Sequence, residues 1–230
     1  MGLEGRFHWG ILSRYARAVK SVEQIRRRFE RFEPERVPTA GLNRAAVAVV
    51  LRDHPSGPEL LFIERATRDG DPWSGRMAFP GGRLEELDGS SRAAAERETL
   101  EEVGLSLAGA EYVGHLADLQ GSPRFRQNRL VVSAHVYHLL DDPGPVALEL
   151  SEVRSCFWFP LPQILDPERH VDYRTPQTGE MSFPGILVGE PERHVVWGLT
   201  YRFLDIFMGA IESPLPDRWS SSDKAAFRES

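Results

Sequence analysis

The fold class this sequence predicts is an α/β sandwich, and three observations predict it. Short runs rich in Val, Leu and Ile, bounded by Gly and Pro, lie on both sides of one long helical run over Ser91–Val103. A second helical run, over residues 201–211, closes the folded part of the chain. The 230 residues are enough for one generous domain.

Composition narrows the class further. Hydrophobic residues make up 41% and charged residues 27%, ordinary globular values that exclude a disordered or collagen-like chain. No stretch reaches about 18 consecutive apolar residues, so no membrane span is expected. The one cysteine, Cys156, excludes an internal disulfide and any zinc site built on several thiolates. It stands in an apolar run and reads as a small buried hydrophobe. The net charge of −6 excludes a general nucleic-acid binder. No secretory pattern opens the chain, so a cytoplasmic location is expected.

Residues 1–36 stand apart, with nine Lys and Arg against five Glu. Tyr15, Val19, Val22, Ile25, Phe29 and Phe32 recur at helical spacing and form one apolar stripe among arginines. Pro34 and Pro38 end this helix. Its stripe is too apolar for water, so it packs on the domain or across a homodimer. The expected division is a helical extension over 1–36, the domain over 37–215 and a disordered tail over 216–230.

Within the domain, residues 45–51 and Glu59–Arg65 read as strands joined through His54-Pro55-Ser56-Gly57, a hairpin turn. Residues 77–79 form another short strand before Pro80-Gly81-Gly82. The helix over Ser91–Val103 is rich in alanine and stops at Gly104. Residues 112–119, Leu130–Leu139 and 153–159 complete the strands.

The chemistry concentrates in two stretches, Gly81-Gly82-Arg83-Leu84-Glu85-Glu86-Leu87-Asp88 and Arg97-Glu98-Thr99-Leu100-Glu101-Glu102-Val103-Gly104-Leu105. On a helix, Glu98, Glu101 and Glu102 share an arc of roughly 100°, with Leu100 and Val103 on the opposite side. Crowded carboxylates repel unless cations sit among them. An all-oxygen ligand set suits Mg²⁺ or Mn²⁺. Arg97 is placed to brace one carboxylate. Gly81 and Gly82 let backbone approach a ligand closely, as phosphate sites require.

This pattern resembles the Nudix box, G-x5-E-x7-R-E-U-x-E-E-x-G-U, where U is a bulky aliphatic residue. Asp88 stands in place of the first Glu, eight residues separate it from Arg97, and Thr99 replaces an aliphatic. A longer box with Asp is similar to the coenzyme A diphosphatase branch. Leu61-Phe62-Ile63-Glu64-Arg65 followed by Ser74-Gly75-Arg76-Met77-Ala78-Phe79-Pro80-Gly81-Gly82 resembles that branch's upstream motif, with Trp73 where the branch has His. The likeness extends through Glu152-Val153, Trp158-Phe159-Pro160-Leu161 and Trp197-Gly198-Leu199-Thr200, covering residues 44–211.

The resemblance implies a Nudix-type α/β/α sandwich with a mixed central sheet. It implies an enzyme, a diphosphatase in which Glu98, Glu101 and Glu102 hold one to three divalent ions, Mg²⁺ or Mn²⁺. Water attacks one phosphorus in line and a carboxylate takes its proton: Glu98, Glu101, or a loop acid such as Asp118 or Glu152. Arg97 belongs to this catalytic set, while Arg65, Gly81 and Gly82 contact substrate. The expected substrate is coenzyme A or a derivative, cut to 4'-phosphopantetheine and adenosine 3',5'-bisphosphate. Arg124, Arg126 and Arg129, close together on one loop, are the candidates for its 3'-phosphate. ADP-ribose or another nucleoside diphosphate derivative is the second enzymatic reading, and a non-catalytic nucleotide-binding module is the third. His115, His135 and His138 form no ligand cluster in the sequence. Trp73 and Phe125 are candidates to stack on an adenine or cover the pantetheine arm.

Overall fold

A computed structural model describes residues 21–68, 74–121, 129–144, 146–175, 181–191 and 193–216. The expected contributions of Tyr15, Val19, Trp73, Arg124, Phe125 and Arg126, and the 217–230 tail, lie outside these residues.

The chain builds a seven-stranded mixed sheet from β1 (Asn43–Arg52), β2 (Glu59–Arg65), β3 (Met77–Ala78), β4 (Gly81–Arg83), β5 (Glu111–Gln120), β6 (Leu130–Leu139) and β7 (Val153–Pro160). Its path runs β3-β2-β1-β6-β5, with β4 paired to β1 and β7 to β2. The β1–β6 pair is parallel and the others are antiparallel, which makes the sheet mixed. β1 and β2 meet through only two residue pairs before the His54 turn, closed by Gly57 N–H on His54 O at 2.9 Å.

Side chains alternate along β1 and so divide the core in two. Ala46, Ala48 and Val50 face α2 (Ser91–Val103), and pack with Leu61, Ile63, Ala94, Ala95 and Val103. Val49 and Leu51 face the other way, toward Phe62, Phe79, Phe203, Leu204 and Phe207. The last three belong to the closing helix α3 (Gly198–Ala210). Helices therefore cover both faces of the sheet. A smaller three-stranded sheet, β8 (His170–Tyr173), β9 (Phe183–Leu187) and β10 (Val195–Trp197), leads into α3.

α1 (Val22–Phe29) buries Val22, Ile25 and Phe29. Phe29 lies against Phe207 of α3, with ring centroids 5.9 Å apart. The ring also fills the space above Gly114, where a Cβ would stand 3.2 Å from it. Arg26–Glu111 and Arg28–Glu212 ion pairs flank this contact. The following linker joins the sheet edge, where Asp118 N–H donates to Glu35 O at 2.9 Å.

Candidate metal centre

α2 carries the central carboxylates, and its ends are well specified. Ser90 accepts a hydrogen bond from Ala93 N–H at 3.1 Å, and Gly104 closes the helix at φ 66°. The buried side of this helix is Ala94, Ala95, Thr99, Glu102 and Val103. The helix does not divide into an exposed acidic side and a buried apolar one. Leu100, on the side opposite the three carboxylates, is 51% exposed. Glu102 is 1% exposed and sits in the middle of the buried arc. At about 100° per residue, Ala94, Ala95, Thr99 and Val103 spread to either side of Glu102, while Leu100 falls beyond them.

Three carboxylates converge there. Oxygens of Glu98, Glu102 and Glu152 all lie within 4.8 Å of one another. Glu152 comes from the turn that precedes β7. The expected ligands thus divide. Glu98 and Glu102 join Glu152, while Glu101, whose side chain is 57% exposed, puts Oε2 2.8 Å from Arg97 Nη1. Arg97 and Glu101 are four residues apart and stack on one helix flank; Glu102 lies round the other side.

Gly81 and Gly82, which open β4, form the floor. Gly81 N–H donates to Glu102 Oε2 at 2.8 Å. Its φ of 151° and the proximity of the Ala46 carbonyl leave no room for a side chain. A Cβ on Gly82 would run into the Glu98 carboxyl. Both glycines pair with β1, Gly82 opposite Ala46 and Gly81 opposite Val47, so this strand is keyed to the middle of the sheet.

Arg97 braces the opposite flank. Its Nε and Nη2 meet the two Asp88 oxygens at 3.1 and 2.9 Å, Nη2 also reaches Glu98 Oε1 at 3.1 Å, and Arg83 O accepts at 3.0 Å. The hydrogen bonds from Arg97 hold the Asp88 carboxyl below its usual range against the opposing effect of burial. Arg65, at the end of β2, puts Nη1 3.7 Å from Glu102 Oε1, an ion pair with the buried carboxylate. Burial pushes Glu102 up to about 7; the Gly81 N–H and Arg65 oppose this, and Glu98 and Glu152 add to it. Burial also raises Glu98. Clustered, partly dehydrated carboxylates with raised affinity for protons are a site that gains by taking up a cation. The oxygen-only donor set fits a hard divalent ion.

Other candidates sit elsewhere. Asp118 is 7% exposed and bound by Ser133 Oγ at 2.7 Å, His115 Nε2 at 3.0 Å and Val37 N–H at 3.3 Å. It ties the linker to β5 and does not join the carboxylate trio. His135 bridges Ser91 Oγ and Tyr112 Oη, each at 3.0 Å, and His138 meets Asp53 at 2.9 Å. Arg129 donates to Gly41 O at 3.2 Å. Cys156 is half-buried against the α2 side of the core.

Sequence reasoning missed Arg68. Its Nε donates to Ser151 O at 2.7 Å and its Nη2 to Glu152 Oε1 at 3.2 Å. The only sequence signal was its place three residues beyond Arg65, in a segment with no periodicity.

The NUDIX domain family matches residues 42–177. An uncharacterized protein of Schizosaccharomyces pombe, C14C4.10c, is 35% identical over 153 residues, 59% of this chain and 46% of its own. The peroxisomal coenzyme A diphosphatase ndx-8 of Caenorhabditis elegans is 33% identical over 137 residues, 58% of this chain and 56% of its own. The chain therefore spans about half the length of these two relatives. The Nudix hydrolase NudL of Salmonella paratyphi B is 27% identical over 185 residues, 80% of this chain and 91% of its own. Among solved structures, a NUDIX hydrolase from Nitrosomonas europaea superposes with a TM-score of 0.46 at 18% identity, covering 76% of this chain and 93% of that one.

Proposed function

Because this chain belongs to the Nudix family of hydrolases, we propose that it cleaves the diphosphate bond of coenzyme A or its derivatives in an Mg²⁺- or Mn²⁺-dependent reaction. The products are 4'-phosphopantetheine and adenosine 3',5'-bisphosphate. The observation that carries this reading is the convergence of Glu98, Glu102 and Glu152 beside Gly81 and Gly82 of β4. The coenzyme A preference draws on the upstream motif through Arg65 and on the worm relative's printed activity.

Glu98, Glu102 and Glu152 would hold the cation, which neutralises charge on the diphosphate oxygens and acidifies the attacking water. The residues' own work is separable from this. Gly81 orients Glu102 through its N–H, and Gly82 leaves space beside Glu98. Arg97 fixes Glu98 from the side and ties it to Asp88. Glu152, at 41% side-chain exposure, is the most accessible of the three carboxylates and the best placed to take a proton from incoming water. Arg129, with Arg124 and Arg126 of the same loop, is the candidate contact for the 3'-phosphate.

Purified protein incubated with Mg²⁺ or Mn²⁺ and a panel of coenzyme A, dephospho-coenzyme A, ADP-ribose and reduced dinucleotide, read by product mass, tests the proposal. Preferential formation of adenosine 3',5'-bisphosphate supports it. Preference for ADP-ribose replaces the substrate assignment, and binding without turnover of any diphosphate identifies a nucleotide-binding module. No helix among the described residues is long and apolar enough to cross a membrane. The cytoplasmic placement is part of the proposal; imaging of the tagged full-length protein separates it from the peroxisomal placement named for the worm relative.

A further inference from the structure

Glu98 and Glu102 stand on one helix and are fixed by it, whereas Glu152 reaches the centre from a turn. The backbone of that turn is docked on two sides. Glu149 N–H donates to Glu102 O at 3.0 Å and Ala147 N–H to Val103 O at 3.1 Å, which fastens the approach to the end of α2. Ala66 N–H donates to Glu152 O at 2.7 Å, which fastens the exit to the continuation of β2. These bonds place the Glu152 backbone. They leave its side chain, 41% exposed, to rotate.

Arg68 supplies the missing constraint. Its guanidinium spans the turn, with Nε on Ser151 O at 2.7 Å and Nη2 on Glu152 Oε1 at 3.2 Å. Its own backbone is held by Ser74, whose Oγ accepts from Arg68 N–H at 2.6 Å. A planar fork bonded at two points sets direction as well as distance, which a flexible ammonium cannot do. Resting on the metal-dependent reading above, we infer that Arg68 is a positioning residue for the centre, aiming the Glu152 carboxylate at the site shared with Glu98 and Glu102. It acts through Glu152 and touches neither Glu98 nor Glu102.

Two physical accounts of Arg68 differ in sign. As a mere positive charge beside a cation site, its removal would tighten cation binding. As a positioning group, its removal weakens binding, because Glu152 must be ordered at the moment the ion arrives. Outer-shell partners of metal ligands are worth about 10- to 100-fold in affinity or activity.

The test is Mn²⁺ binding to the metal-free full-length protein, by calorimetry or electron paramagnetic resonance, with no substrate present. Arg68→Ala and Arg68→Lys should each weaken Mn²⁺ binding about 10-fold, with melting temperatures near that of wild type. Glu152→Gln should weaken it too. Arg68→Ala made on top of Glu152→Gln should cost nothing more, since the group it aims is gone. Tighter or unchanged Mn²⁺ binding in Arg68→Ala overturns the inference, as does an equal further loss in the Glu152→Gln background. Full Mn²⁺ affinity in both Glu98→Gln and Glu102→Gln overturns the metal centre itself, a failure distinct from that of Arg68.

Discussion

Arg97 grips Asp88 at two points, Nε on Oδ1 at 3.1 Å and Nη2 on Oδ2 at 2.9 Å. The family pattern has a glutamate here, one methylene longer, and the one extra residue of loop would offset the shorter side chain. Asp88→Asn should therefore lower kcat by about 10- to 100-fold, because Arg97 loses the anchor from which it fixes Glu98. Asp88→Glu should also lower the melting temperature, since the added methylene overfills a gap that the longer loop has already closed. Activity and melting above wild type in Asp88→Glu would refute this compensation.

Glu102 is buried in the middle of the inward-facing arc of α2. Replacing it with Gln removes the anion and keeps the shape, so kcat at saturating Mg²⁺ should fall by more than about 100-fold, the upper range for an outer-shell partner. The metal-free fold should persist with an undiminished melting temperature, because a neutral amide avoids the cost of dehydrating a carboxylate. Steady-state kinetics beside thermal melts separates the two effects.

Gly82→Ala and Gly81→Ala should fail differently. The first places a methyl into the Glu98 carboxyl, so activity drops while the fold stands. The second meets the Ala46 carbonyl and the Val47 backbone at a positive φ, so the protein itself is destabilised. Circular dichroism melts and turnover on the same preparations check the contrast.

Glu64 gives an acid-stability prediction. Burial works to raise its pKa, but hydrogen bonds from Arg193 and Ser155 and the charges of Arg193 and Arg154 more than reverse this, bringing it down to about 2. A carboxylate depressed on folding stabilises above its unfolded pKa of 4.5 and ceases to do so as pH falls through about 2. Wild type should lose stability across that window, and Glu64→Gln, already weaker at pH 7, should lose less there. Urea unfolding at stepped pH measures both; parallel acid limbs would contradict the assignment.

Phe29 closes the contact between α1, Gly114 and Phe207. Phe29→Ala should cost about 3–5 kcal/mol of unfolding free energy, as emptied aromatic core sites do. Equilibrium denaturation tests this, and a loss under 1 kcal/mol would show that α1 is not part of the cooperative unit.

Much of this was readable from residue order because periodicity and punctuation agreed. Glu59–Arg65, Ser91–Val103 and Leu130–Leu139 end where their patterns end. The ends of α2 are legible because Ser90 and Gly104 are strong helix boundaries. β4 was hidden, since Gly81 and Gly82 read as a turn although β1 draws them into the sheet. The β8–β10 sheet was hidden too, being built from three to five residues per strand with Pro184 and Gly185 inside one of them. At the site, helical spacing grouped Glu98, Glu101 and Glu102, yet spacing alone does not say which flank a cation-bearing neighbour occupies. Arg97 pairs with Glu101, and the carboxylate that converges with Glu98 and Glu102 is that of Glu152, considered in the sequence only as a proton acceptor. Arg68 left little trace because the groups it meets, Ser151 and Glu152, lie more than 80 residues away.

That Glu152 lies so far along the chain from α2 has a consequence for synthesis on the ribosome. β1 cannot find its parallel neighbour until β6 has emerged, and the third carboxylate emerges later still, immediately ahead of β7. Pairing across such sequence distances is slow to nucleate. On the proposed metal centre, a nascent chain that has exposed Gly81, Gly82, Glu98 and Glu102 therefore still lacks its third carboxylate, which arrives only with the turn that carries Ser151 and Glu152.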